Sequence, residues 1–434
     1  MKFEVAVLLI TILATDHVFA QGALVPSAGP AETMKTLQQI EPRTDIATLA
    51  GSSSAAHVIS QSGSYYLTGN IQAALNKHGI IISADNVAID LAGFSLIGAG
   101  KAVGSTGHGI SALSRRNITV RNGTIREFRQ EGINANNGTG LVAEKLIVEN
   151  CGSAGIHGYA NVIVRECQCR ENAGYGILAN GTLLADRCMA DGNTSIGIGA
   201  SGDGSVIRGC VAQNNGSTGI SVGSASTITD CTTRENGGTG ISAGAGSSLN
   251  NCTAYYNDSN FGMFVSDGSV LQGCTANYNT GTSTHSYGIY AASACSVIAC
   301  TARFNNNTNT QGTGSTGAGI YASSASTVAH CSARYNEGDG IRVSDDTTVM
   351  SNTSANNGNG GTGAGIHATG SDNRVDSNNV ANNDYGIHVS TNGNLVVRNS
   401  ASGNSTNYEI ATGNDTGTIQ TTPVGAGAWD NFQF

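Results

Sequence analysis

Apolar residues in this chain come in short alternating runs, about three runs to every 22 residues. One run in each unit is announced by a Gly-Ile pair. Ile80, Ile110, Ile133, Ile156, Ile177, Ile198, Ile220, Ile241, Met263, Ile289, Ile320, Ile341, Ile366, Ile387 and Ile410 mark fifteen returns, and all but the last follow glycine. The commonest step is 21 to 23 residues. Within each run, as in Ile220-Ser221-Val222 or Ile320-Tyr321-Ala322, the first and third side chains are small or apolar. A period of two over three residues marks a strand, with the middle residue facing out. A unit this short cannot bury a face by itself and must stack on its neighbours. Three short strands per unit therefore predict an all-β fold. It is a parallel β-helix of about 15 coils, on the order of 70 Å long at a rung spacing near 4.8 Å.

Two further columns run parallel to the isoleucines. Eleven or twelve residues after each tick come Cys167, Cys188, Cys210, Cys231, Cys252, Cys274, Cys300 and Cys331. Five residues later come Asn172, Asn193, Asn215, Asn236, Asn257, Asn279, Asn305 and Asn336. Asparagine tolerates left-handed backbone and bonds well to backbone groups, so it suits a corner. Tyr256, Tyr278, Phe304 and Tyr335 lie between the columns, and strict alternation points them inward. The cysteines admit three readings: buried stacked thiols, some disulfides, or a metal cluster. Ligands spread along a line do not converge on an ion. Side chains about 4.8 Å apart are also wider than the usual Cβ separation of a disulfide, about 3.8 Å. Stacked thiols are the favoured reading, and Cys167/Cys169 and Cys295/Cys300 interrupt the column.

The ends differ from the repeat. Lys2, the apolar run 5–14 and Val18-Phe19-Ala20 read as a secretory signal over 1–20. No later segment is long and apolar enough for a membrane span. Residues 21–63 hold a leading segment, with helical composition at 31–39 that could cap the first coil. The β-helix is expected over 64–412. Residues 413–434 end in Trp429, Phe432 and Phe434, read as an aromatic plug. Only 12% of residues are charged, and the net charge of −9 argues against a general nucleic-acid partner. The arginines at 115, 116, 121, 126 and 129 read as an ordinary solvated face.

The coil unit, with Gly63–Asn70 (GSYYLTGN), 84–98 (ADNVAIDLAGFSLIG) and the closing WDNFQF, resembles the right-handed parallel β-helix repeat proteins of the pectin-lyase-like superfamily, in particular its exported bacterial members. The resemblance implies the fold. That superfamily includes polysaccharide lyases, glycoside hydrolases, uronan epimerases and non-enzymatic surface proteins, so it leaves activity open. Gly107-His108-Gly109-Ile110 is similar to the histidine motif of polygalacturonases. The accompanying Asn-Thr-Asp, Asp-Asp and Arg-Ile-Lys motifs are not present in order, so the match is set aside.

The irregular coils carry the candidate chemistry. Insertions fall at 280–286, 306–317 and 358–363, just before late ticks. The outward residue after the tick is Leu178, Gly199, Ser221 or Ser242 in the middle coils. It becomes Phe264, Tyr290, Tyr321, Arg342, His367 and His388 in coils nine to fourteen. Rings suit sugar faces, and arginine forks onto carboxylates. A protein of the secreted compartment that binds polysaccharide or cell-surface glycan through this face is the expected function. A polysaccharide lyase is the alternative, with Arg342 or His367 as catalytic groups and Ca²⁺ on Asp339 or Asp345. An inert surface protein is the third reading. No cofactor is required by the first or third.

Overall fold

The computed structural model describes residues 42–101, 106–281, 285–307, 317–358 and 362–434. The expected signal at 1–20 and helix at 31–39 lie outside them, as do most residues of the three insertions. Among the described residues the chain is a parallel β-solenoid of about 16 turns, and no helix is long and apolar enough to cross a membrane. Each turn contributes three strands to three faces. One turn consists of Ile198–Ala200, Val206–Arg208 and Val211–Gln213. Each pairs in parallel with its equivalent one repeat later, Ile198 with Ile220, Ile207 with Ile228 and Ala212 with Thr233.

The isoleucine column is continuous and fully buried from Ile80 to Ile387. It extends one coil earlier than expected, because His57 pairs with Ile80. Its far end also differs. Ile387 pairs with Tyr408, and Ile410 pairs with Val389. The last tick is therefore Tyr408, and Ile410 occupies the third position of its strand.

Each corner is built from the same two-residue device. A left-handed residue makes the bend, and the next residue turns its side chain inward onto a ladder. In one turn Gly204, Gly209 and Asn214 take φ of 73°, 59° and 53°. They precede Ser205, Cys210 and Asn215, all buried. The left-handed backbone thus belongs to the residue before the ladder asparagine. In the third ladder Asn193 Nδ2 donates to Asn215 Oδ1 (2.9 Å) and to the Cys169 carbonyl (3.0 Å), while its backbone N–H donates to the same Asn215 oxygen (3.1 Å). Asn236, Asn257 and Asn279 repeat this pattern. Each of these ladder amides both donates and accepts, which makes its burial tolerable.

All eleven cysteines are buried and free. Cys188, Cys210, Cys231, Cys252 and Cys274 form the second-corner ladder, continued by Asn352, Asn378 and Asn399. The interruptions now have places. Cys295 stands in the serine ladder of the first corner, where its N–H donates to Ser326 Oγ. Cys151 heads the asparagine ladder and donates its N–H to Asn172 Oδ1. Burial pushes the Cys151 thiol up to about 12 and Cys169 well above its ordinary value, so these sulfurs pack as small apolar groups.

The aromatic residues between the columns correct a simple alternation. Tyr256, Tyr278, Phe304 and Tyr335 occupy the left-handed corner, with φ of 52° to 55°. The bend turns them outward, and Tyr256 and Tyr335 are 46% and 42% exposed. Their rings stack on each other at 5.0, 4.7 and 4.9 Å. At the C-terminal end, Trp429 and Phe434 stay exposed, 56% and 75%. The buried contribution of that segment is Asn431, whose Oδ1 accepts the Asn399 N–H.

Candidate functional site

The glycine of each Gly-Ile pair shapes the outer face. A Cβ on Gly340 would lie 2.6 Å from Asn357 Nδ2 and 2.0 Å from Ser354 Oγ, so this position faces the interior. Glycine and isoleucine both face inward, and the alternation slips by one. The residue two before the tick then emerges on the outer face, beside the residue one after it. Each coil therefore presents two outward positions on this sheet, where strict alternation expects one.

The later position carries every expected binding residue in register. Phe264, Tyr290, Tyr321, Arg342, His367 and His388 occupy successive rungs, with Glu409 following. Phe264 stacks on Tyr290 at 5.4 Å and Tyr290 on Tyr321 at 5.0 Å. His367 stacks on His388 at 4.3 Å with planes 11° apart. The earlier position adds Phe261 and Tyr287, which the alternation did not single out. Tyr287 packs tilted against Tyr290 and Tyr321, 5.5 and 5.1 Å between centroids, and burial pushes its hydroxyl up to about 12. Together the phenylalanine and tyrosine rings, His285, Arg342 and Thr369 line a cleft of about 440 Å³.

The two aspartates expected to hold a metal are not equivalent and sit at opposite ends of one strand, Asp339–Val343. Asp339 opens it and is 4% exposed. One carboxylate oxygen accepts the Ala364 N–H at 2.8 Å; the other faces His367 Nδ1 at 2.9 Å and Arg342 Nη1 at 3.9 Å. Asp345 lies past the strand end and accepts the Ser371 N–H at 2.9 Å. Its neighbour Asp346 is the left-handed corner residue, φ 55°. Asp346 therefore serves the corner of the coil. Among the described residues, no three His, Cys, Asp or Glu side chains converge as a metal site.

The structure also adds Ser390, an exposed residue just beyond Tyr385–Val389. Its Oγ lies 2.7 Å from His367 Nε2 and 3.5 Å from His388 Nε2. Burial, then the neighbouring His367, pushes the His388 imidazole below its ordinary value.

A second cluster occupies the early coils of the same face. Glu131 lies 2.7 Å from His108 Nδ1 and 3.8 Å from His157 Nδ1. His108 stacks on His78 at 5.0 Å, and His157 Nε2 lies 3.3 Å from Asn180 Nδ2. Burial alone would raise the Glu131 carboxyl, but the His108 and His157 imidazoles beside it hold it well below the usual carboxylate range. His108 thus belongs to a genuine cluster, although it lacks the other polygalacturonase motifs.

With fold and face in place, the family is clear. The model described as "Right handed beta helix region" matches residues 56–183, 109–254, 179–283 and 262–422, most of the chain. The chain belongs to the right-handed β-helix family. Among solved structures it is similar to the A-module of the Azotobacter vinelandii mannuronan C-5 epimerase AlgE6, with 16% identity, 86% of this chain and 90% of that one covered, and a TM-score of 0.38. It is also similar to the Dettilon tailspike protein (13% identity, 88% and 60% covered, TM-score 0.35). A third is the catalytic unit of a GH87 α-1,3-glucanase from Streptomyces thermodiastaticus (11% identity, 91% and 68% covered, TM-score 0.27). No curated protein matches the chain.

Proposed function

We propose that this protein works outside the cell and binds a polysaccharide or cell-surface glycan across the outer face of the coils from Phe264 to His388. The observation that carries this reading is the row of stacked rings Phe264, Tyr290 and Tyr321, which ends at Arg342 above a cleft of about 440 Å³. Aromatic faces stack on the C–H faces of sugar rings, and a guanidinium forks onto a uronic carboxylate. Rungs at the inter-strand spacing let one ring follow another along an extended ligand.

A glycan array followed by titration calorimetry tests the reading. Binding to one glycan class, weakened by Tyr321→Ala and by Arg342→Ala, supports it. A folded protein that binds no glycan overturns it and favours an inert surface role. A lyase is the second reading, favoured by an imidazole, His367, held beside the cation Arg342. β-Elimination needs such a base and such a neutralising charge. It requires an unsaturated, ultraviolet-absorbing product from a uronan, and purified protein that forms none sinks it.

A further inference from the structure

We propose that Ser390, His367 and Asp339 form a nucleophile, base and orienting carboxylate for acyl transfer, and that this face hydrolyses O-acyl esters carried by a polysaccharide. The sugar part of that substrate rests on the glycan reading above; the acyl chemistry rests on the three residues.

The three groups come from three successive coils. Asp339 stands two before its tick, His367 one after the next, and Ser390 three after the one that follows. Asp339 is buried, with one oxygen held by the Ala364 N–H and the other 2.9 Å from His367 Nδ1. An ionised carboxylate only accepts, so Nδ1 carries the imidazole proton. With the imidazole neutral, as a general base requires, Nε2 is an acceptor, and the Ser390 hydroxyl donates to it at 2.7 Å. The stacked His388 ring holds the plane of His367. Ser390 itself is exposed, where a substrate carbonyl can reach it. This is the geometry by which such sets are recognised on unrelated folds. It also separates the site from simple proton abstraction, because the basic nitrogen is already committed to a hydroxyl.

The chemistry balances with water as co-reactant. Ser390 Oγ attacks the ester carbonyl carbon while its proton passes to His367 Nε2. Collapse of the tetrahedral adduct breaks the bond to the sugar oxygen, which takes that proton and leaves as a hydroxyl. Water then attacks the acyl-serine, giving a proton to His367. The second collapse releases the carboxylic acid and returns the proton to Ser390. Asp339 touches no substrate and acts as a positioning residue.

The test uses the purified full chain, a fluorophosphonate serine probe with peptide mapping, and hydrolysis of p-nitrophenyl acetate and of an O-acetylated polysaccharide. The expected result is one adduct on Ser390 and hydrolysis that falls about 10³-fold or more in Ser390→Ala and His367→Ala. Ser390→Asn is the folding control, because Asn180 already occupies the equivalent place in the early cluster. Absence of an adduct, with hydrolysis unchanged in folded Ser390→Asn, overturns the proposal even if glycan still binds. An adduct with hydrolysis but no glycan binding upholds the acyl chemistry and overturns the glycan reading instead.

Discussion

Glu131, His157 and Asn180 occupy the same three register positions as Asp339, His367 and Ser390, nine ticks earlier (Ile133 against Ile341). The rung geometry is the same, but the outcome differs. Asp339 lies 2.9 Å from its histidine, whereas Glu131 lies 3.8 Å from His157 and 2.7 Å from His108 instead. The cause is the neighbour on the preceding rung. Next to Glu131 that position holds His108; next to Asp339 it holds Ala318, which offers no donor. The longer glutamate also reaches across the rung. A carboxylate facing two imidazoles stores charge, and one facing a single imidazole orients it. The third member then decides the chemistry, since an amide cannot serve as the nucleophile and a hydroxyl can. In a solenoid, a site arises from adjacent rungs and can be gained or lost by one substitution on a neighbouring coil.

Loss of the orienting carboxylate should have the largest effect. Asp339→Asn is expected to lower kcat for ester hydrolysis about 10³-fold with KM unchanged. Glu131→Gln is expected to leave hydrolysis unaltered. Equal losses in steady-state assays would mean that the two clusters do not differ in role.

The scaffold shared by both clusters is the next target. Asn257→Ala removes an amide that bonds Asn279 Oδ1 and the Thr233 carbonyl and accepts from Asn236. Buried partners left unsatisfied should cost about 3 kcal/mol in chemical denaturation. Neither cluster's chemistry should change in protein that remains folded.

Acid sharpens the contrast further. The folded Glu131 carboxyl is depressed, so its contribution to stability is full above its unfolded value near pH 4.3 and is lost as pH falls through the folded one. Glu131→Gln should therefore be about 1–2 kcal/mol less stable at neutral pH, and the difference should shrink below about pH 4. Denaturation at a series of pH values checks this; a gap that widens in acid contradicts it.

The smallest expected effect is at the rings. Tyr321→Ala should weaken glycan binding about tenfold, with probe labelling of Ser390 unchanged. Calorimetry and labelling on the same preparation check both halves.

The period of the chain made the solenoid and one outward column legible, from Phe264 to His388, because three-residue alternation and a regular step depend only on residue order. Ser390 escaped that reading because it lies one residue beyond the strand, where alternation no longer says which way a side chain points. The charge of Asp339 is visible in the sequence, but its contact with His367 is not. The contact exists because glycine and isoleucine both face inward and shift the earlier residue onto the outer face. Strict alternation turns Tyr256 and Tyr335 to the wrong side for a related reason: the left-handed residue at each corner breaks the period of two. The early cluster was within reach of a simple device, aligning the residues before as well as after every tick. His78, His108 and Glu131 then fall in one column.

Residue order by itself thus determined the coil, its stacking, its buried isoleucines and its cysteine and asparagine ladders, since each is a local pattern repeated until stacking is the only way to bury it. Tertiary structure alone decided which carboxylate meets which imidazole and which hydroxyl stands at the end of the relay. Those partners lie 23 to 28 residues apart in the chain but on adjacent rungs. Whether they meet depends on side-chain length and on what the rung before them offers, neither of which is a property of the repeat.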